Sequence, residues 1–203
     1  MNLYKKYVLP RLLNYGMQNK NIEKTRPDIA GQASGIVLEI GFGSGLNLPF
    51  YKNITKLFAL DPSLELYNLA EERIKKVIFP FEYIQAKAEK IPLADNSIDT
   101  VISTWNFCSI YNSVSALKEI IRVLKPNGKF IFIEHGKSPK AIWSLLQNII
   151  TPLSKLFTGG CHLNREIENL IINNGFQIIQ LEKFAEKNKP LIFNYKGIAI
   201  IKK

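Results

Sequence analysis

The sequence predicts an α/β fold, a doubly wound and mostly parallel sheet with helices on both faces. Three observations carry this. Apolar runs of strand length recur at about 36–40, 56–60, 81–85, 98–104 and 129–134, with segments of helical character between them. The first run breaks into Gly41, Gly43 and Gly45, where backbone without Cβ can turn at positive φ and approach a ligand. The second ends in Asp61, twenty residues after Gly41. That places a carboxylate at the carboxyl edge of the next strand, where open α/β sheets bind ligands.

The elements follow in order. Residues 2–25 read as an amphipathic helix that Pro10 breaks or kinks. Leu3, Tyr4, Tyr7, Val8, Leu12, Leu13, Tyr15 and Met17 form its apolar faces, between Lys5, Lys6 and Arg11. A small-residue linker, Gly31 to Gly35, leads into the first strand, so residues 1–34 form an N-terminal helical cap and 35–203 a single globular unit. Helices are expected at about 46–52, 63–77 and 113–124, with Ser63 capping the second. In Leu124-Lys125-Pro126-Asn127-Gly128 the proline stops the helix and Asn-Gly is expected to supply positive φ. Helical stretches at about 141–157 and 164–174 precede two late strands, about 176–182 and 192–201. A polar stretch, Glu186 to Pro190, joins these strands into an antiparallel hairpin at one edge of the sheet.

A length of 203 residues allows one domain with ample core. The formal net charge of +10 reads as a solvated lysine surface. Its lysines are scattered, and no arginine-rich segment interleaves with aromatics, so nucleic acid is not the expected partner. Cys108, Cys161, His135 and His162 are too few and too dispersed along the chain for a structural zinc site, and no metal is expected. Two free thiols fit a reducing cytoplasm. No run approaches the roughly 20 apolar residues that span a bilayer, and the N-terminus lacks a signal-peptide core. Peripheral membrane contact through the N-terminal helix stays open.

The glycine spacing discriminates between cofactors. A dinucleotide fingerprint needs glycine or alanine three positions after its second glycine. Leu46 stands there, and Gly45 comes one residue earlier, giving E-x-G-x-G-x-G from Glu39 to Gly45. This pattern, with Asp61 beyond it, resembles the class I S-adenosylmethionine (SAM)-dependent methyltransferases. The resemblance implies that Gly41, Gly43 and Gly45 pass under the methionine end of SAM, and that Asp61, stiffened by Pro62, holds the ribose hydroxyls. Glu39 is expected to anchor the loop and the cofactor's ammonium, because an unpaired carboxylate at a buried strand end is costly.

Later motifs extend the resemblance. Ala86-Lys87-Ala88-Glu89-Lys90-Ile91-Pro92 through Asp99 is similar to the loop after strand three in small-molecule methyltransferases. It implies that Ala88 and Glu89 serve the adenine, with Lys87 departing from the usual acidic residue. The fourth strand runs into Thr104-Trp105-Asn106-Phe107-Cys108, where the superfamily places its reacting centre. Thr104 is expected on the cofactor side, and Trp105, Phe107 and Cys108 in the substrate pocket with Tyr7 from the cap. Cys108 reads as a packing residue, since SAM chemistry needs no protein nucleophile. The Asn/Asp-Pro-Pro-aromatic tetrad of base N-methyltransferases is missing. His135 reads either as a general base or as a hydrogen-bonded structural histidine.

Phe107-Cys108-Ser109-Ile110, Glu134-His135, and a Trp143…Gln147…Pro152 helix leading to Gly160-Cys161-His162-Leu163-Asn164-Arg165-Glu166 narrow the match. In this order they resemble the methyltransferase-like 7 family and its bacterial relatives, within the type 11 group. That implies a Rossmann-like, seven-stranded class I methyltransferase sheet under an N-terminal helical cap. It also implies transfer of a methyl group from SAM, leaving S-adenosylhomocysteine, to a small-molecule acceptor. Animal members methylate alkyl thiols and associate with lipid droplets or the endoplasmic reticulum through an apolar N-terminal segment, which a shorter, lysine-bearing helix replaces here. The competing expectations are a phospholipid or other membrane-borne acceptor, and a non-catalytic SAM-binding or nucleic-acid-binding protein.

Overall fold

The computed structural model describes residues 3–186 and 189–202, the side chain of Lys5 excepted. The first two residues of the expected N-terminal helix, and Lys187 and Asn188 of the expected hairpin connection, lie outside that description.

Seven strands form one sheet in the order β3-β2-β1-β4-β5-β7-β6. They are β1 (Ser34–Ile40), β2 (Asn53–Leu60), β3 (Phe81–Ile84), β4 (Ile98–Thr104), β5 (Leu124–Gly136), β6 (Phe176–Glu186) and β7 (Lys189–Ile201). The first five run parallel. β7 lies antiparallel between β5 and β6, so the late hairpin does close the sheet. Strand order reverses where β1 meets both β2 and β4, and the crevice at that point is the general ligand site of such sheets.

Both faces are covered, which explains the continuous apolar runs. Successive residues on each strand point to opposite faces. Leu38, Ile40, Val101, Phe130 and Phe132 belong to one buried cluster with Leu117 and Ile171. Val37, Ala59, Ile102, Ile131 and Ile133 belong to the other, with Ile29, Phe42 and Leu48. Fully burying each such Leu, Ile or Phe contributes about 1.5–3 kcal/mol.

The helices differ from expectation in instructive ways. The N-terminal segment starts as a π turn, Tyr4–Val8, in which Leu9 N–H reaches Tyr4 O, and continues as α1 (Leu9–Gly16). Pro10 has no N–H and its ring crowds the carbonyl four residues back. The wider turn accommodates it without a break, and the chain breaks only after Gly16. Two short helices follow, α2 (Lys20–Glu23) and α3 (Arg26–Ala30). The helix expected at 46–52 shrinks to a 3₁₀ turn, Leu48–Phe50. That expected at 63–77 divides into α4 (Leu64–Asn68) and α5 (Glu71–Ile74), where the backbone tightens to bonds such as Ala70 N to Tyr67 O. α6 (Ser113–Val123) is capped by Asn112, whose side chain accepts from Ser115 N. Strand pairing starts at Leu124, earlier than expected. Neither Asn127 nor Gly128 takes positive φ. Gly128 is needed for closeness instead, since a Cβ there would lie 2.8 Å from Leu124 Cδ2.

α7 (Ala141–Phe157) turns two polar residues, Gln147 and Thr151, inward. Gln147 is buried: its Oε1 accepts from Ser138 N at 2.7 Å, and its Nε2 donates to Gly136 O and Leu191 O at 3.1 and 2.9 Å. Thr151 is buried behind it and donates to Gln147 O. Ile142, Leu145, Ile149, Leu153, Leu156 and Phe157 face solvent. The N-terminal segment meets the end of this helix: Tyr4 Oη donates to Phe157 O at 3.2 Å, while Leu3, Tyr7, Val8, Leu12 and Tyr15 are exposed and Leu9 and Pro10 are buried. α8 (Ile167–Asn173) packs Ile167 and Ile171 into the core.

Candidate active site at the carboxyl edge

β1 delivers Glu39 to the edge only 1% exposed, and a polar network holds it. Asn47 Nδ2 and Tyr51 Oη donate to its two oxygens, both at 2.8 Å. Asn47 Nδ2 also reaches Thr104 Oγ1 at 3.1 Å, and Asn47 Oδ1 accepts from Arg26 Nη1 at 2.7 Å. Burial pushes Glu39 up to about 7 despite the hydrogen bonds from Tyr51 and Asn47 and the charge of Arg26. Burial likewise brings Arg26 down to about 10, against the pull of Glu39. Glu39 therefore fastens the segment after the glycine loop. Arg26, Asn47 and Tyr51, which the sequence did not single out, complete this network.

The three glycines have positive φ for different reasons. Gly41 (φ +71°) lies beneath the side chain of Asn106. A Cβ on Gly45 would press on Phe42, Leu48 and Ala70, at 2.9 to 3.1 Å. Gly43 (φ +57°) faces open space, its nearest neighbour being Gly41 O at 3.8 Å. Asp61, also buried, bridges to this loop: Oδ2 accepts from Gly43 N and Oδ1 from Ser63 N, both at 2.8 Å. Burial raises its pKa above the ordinary aspartate value, and those two amides oppose the shift. Each carboxylate oxygen keeps a further lone pair for an incoming hydroxyl. The open backbone at Gly43 beside a desolvated acceptor suits SAM: Asp61 would take its ribose, and the loop would cradle its methionine portion.

The other anticipated residues fall as follows. Pro62 is exposed at the turn, and Ala88 is buried. Glu89 Oε1 accepts from Asn112 N at 3.3 Å, so this carboxylate is engaged at the start of α6. Trp105 takes φ +50°, unusual for a bulky residue. Its indole N–H donates to Asn194 Oδ1 at 2.9 Å, and the Arg26 guanidinium stands 5.3 Å from its ring centroid. Phe107 is not on an open wall; it is buried against Phe130, with ring centroids 6.0 Å apart. Tyr7 is exposed, with Lys6 Nζ 5.2 Å from its ring, rather than turned into the edge.

Glu134, fully buried, organises the turn after β4. It accepts from Ser103 Oγ at 2.6 Å, Asn106 N at 3.3 Å and Cys108 N at 3.2 Å. Beside it the cysteines and one histidine meet, so the argument from dispersal along the chain fails in space. Cys108 and Cys161 Sγ are 3.3 Å apart, and His135 Nδ1 lies 4.0 and 3.7 Å from them. Both cysteines are free and buried. The Cys161 contact and burial together push the Cys108 thiol well up. Cys108 thus packs against Cys161 and His135 in the interior.

Comparison with known proteins agrees with this geometry. The family model described as "Methyltransferase domain" matches residues 38–132. The chain is 34% identical over 160 residues to thiol S-methyltransferase TMT1B of Rattus norvegicus, covering 76% of this chain and 66% of that protein. It is 30% identical over 172 residues to thiol S-methyltransferase TMT1A of Homo sapiens, covering 78% and 69%. The match thus spans about two thirds of these relatives' own length. A SAM-dependent methyltransferase structure from Aquifex aeolicus superposes with a TM-score of 0.67 at 19% identity, covering 95% of this chain and 98% of that one. Sheet order, glycine loop and relatives agree: the chain belongs to the class I SAM-dependent methyltransferases.

Proposed function

We propose that this chain methylates a small thiol, using SAM bound across the ends of β1, β2 and β4. The similarity to the thiol S-methyltransferases carries the reading, because it covers 76% and 78% of this chain, more than the residues 38–132 that the domain model matches. SAM supplies an electrophilic methyl group on a sulfonium. The chain's own task is to position and desolvate the reactants. Asp61 and the glycine loop fix the cofactor. Glu39, held by Asn47, Tyr51 and Arg26, offers a carboxylate for its ammonium, and Ala88 lies at the adenine end. Trp105 and His135, whose rings are 6.5 Å apart, border the acceptor. The attacking sulfur must be a thiolate, and His135 Nε2 accepts its proton in the metal-free chain. An acceptor panel of alkyl thiols, amines, quinols and phospholipid, scored by S-adenosylhomocysteine, tests this. Turnover with thiols is expected. Turnover confined to another class would replace the reading.

One observation favours a second reading, a membrane-borne acceptor. Ile142, Leu145, Ile149, Leu153, Leu156 and Phe157 are exposed on α7 and Leu12 and Tyr15 on α1, and the same segments carry Lys6, Arg11, Lys140 and Lys155. Such a surface suits an anionic bilayer. No helix among the described residues is long and apolar enough to cross a membrane. Co-sedimentation with anionic vesicles, together with turnover that requires them, would select this reading.

A further inference from the structure

Three soft donor atoms, from Cys108, His135 and Cys161, come within 4.8 Å of one another although two of the residues are 53 positions apart. They arrive on three separate elements: the turn after β4, the end of β5 and the loop before α8. A disulfide would account for the two sulfurs but not for the imidazole. Around an ion 2.3 Å from each sulfur and 2.0–2.1 Å from nitrogen, tetrahedral geometry puts the sulfurs about 3.8 Å apart and sulfur and nitrogen about 3.6 Å apart. The observed separations of 3.3, 3.7 and 4.0 Å depart from these by about half an ångström or less. No exposed side chain would have to be recruited.

We propose that Cys108, His135 Nδ1 and Cys161 form a binding site for a soft divalent cation, zinc above all, at the acceptor side of the carboxyl edge. Charge supports it. Both thiols would lose their protons to solvent as the ion enters, and two thiolates then neutralise its charge, so the filled site is neutral in a buried setting. The surroundings hold the ligands in place. Glu134 accepts from Cys108 N, Cys108 O accepts from His162 N at 2.9 Å, and Arg165 Nη1 donates to Phe107 O and Ile110 O. Three protein donors of this kind are the ligand set of catalytic zinc sites that keep a fourth position open.

One consequence rests on the thiol reading above: an acceptor sulfur reaching the fourth position would be bound as thiolate. With Nδ1 ligating, His135 Nε2 would carry the proton, and the ion would replace it in ionising the acceptor. Cation binding itself does not depend on that reading.

The test uses the full chain, stripped by a chelator under a phosphine reductant and then titrated with Zn²⁺ alone and Co²⁺ alone. One ion per chain is expected, and the cobalt form should show thiolate charge-transfer and tetrahedral bands. Cys108→Ser, Cys161→Ser and His135→Gln should each weaken binding by more than about tenfold. His162→Ala should leave it unchanged. Circular dichroism of each variant separates lost ligation from lost folding. Failure of the reduced, folded chain to take up either ion would overturn the proposal. So would binding that survives both cysteine substitutions, or a Cys108–Cys161 disulfide forming on mild oxidation in a chain that takes up no metal when reduced. Metal uptake without any thiol turnover would retain the site and remove the thiol reading alone.

Discussion

Asn106 lies directly over Gly41, so closely that a Cβ on the glycine would come 2.2 Å from Asn106 Cγ. The turn after β4 and the loop after β1 are therefore packed together at the switch point of the sheet. Gly43, two residues on, has no such cover.

This contrast predicts different outcomes for two similar substitutions. Gly43→Ala should cost about 1–2 kcal/mol of left-handed strain and still fold, but the methyl group would occupy the cofactor's side of the loop. SAM affinity should fall sharply. Gly41→Ala adds a clash to the same strain and should lower stability by more than Gly43→Ala, with partial recovery in Gly41→Ala/Asn106→Gly. Urea unfolding and SAM calorimetry on the set would show it, and equal stabilities for the two alanine variants would count against this account.

Asp61→Ala should weaken SAM by more than about tenfold, since each hydrogen bond to a charged acceptor is worth about 1.5–3 kcal/mol. It also releases Gly43 N, so loop amides should exchange faster in the variant. Unchanged calorimetric affinity in a folded Asp61→Ala protein would remove Asp61 from the site.

Glu39 gives a pH dependence with a definite sign. Its folded value is raised to about 7 from 4.5, mainly by burial. Between those values the folded chain keeps a proton that the unfolded chain has released. The contribution is therefore fully present below about 4.5 and is lost as pH rises through about 7. Glu39→Gln should flatten that slope, so that the variant loses less stability than the parent between pH 5 and pH 8. Parallel unfolding curves across this range would show that Glu39 ionises normally.

Deleting residues 1–20 should leave a folded sheet with impaired turnover if the N-terminal segment serves as a lid. Leu9 and Pro10 are buried at its inner side and Arg26 reaches back to Met17 O, so its removal loosens the network on Glu39. Full activity of the truncated chain would reduce the segment to packing.

What the sequence disclosed was whatever is local. The β1 run, the alternating glycines and Asp61 form local patterns, and periodicity locates the strands along the chain, while their seven-stranded arrangement is implied only by the family resemblance. The partners of Glu39, namely Arg26, Asn47 and Tyr51, are invisible there, because each is an ordinary polar residue until burial forces them together. The same holds for Cys108 and Cys161, whose meeting depends on the loop before α8 folding back on the turn after β4. Phe107 and Tyr7 mislead for a related reason: an aromatic residue's position along the chain does not say whether its ring turns to core, pocket or water. In α7 the apolar stripe is legible, but only Gln147 reveals that the opposite face docks.

That mode of docking has a thermal consequence. α7 is fastened by the directional bonds of one amide side chain, while much of its hydrocarbon already stands in water. Lifting it from the sheet would break those bonds and expose comparatively little new apolar surface, so the opening should carry only a small heat-capacity change. Its free energy would then follow a nearly straight line with temperature, unlike the curved profile of the sheet beneath it, and warming alone could loosen α7 well before the core melts.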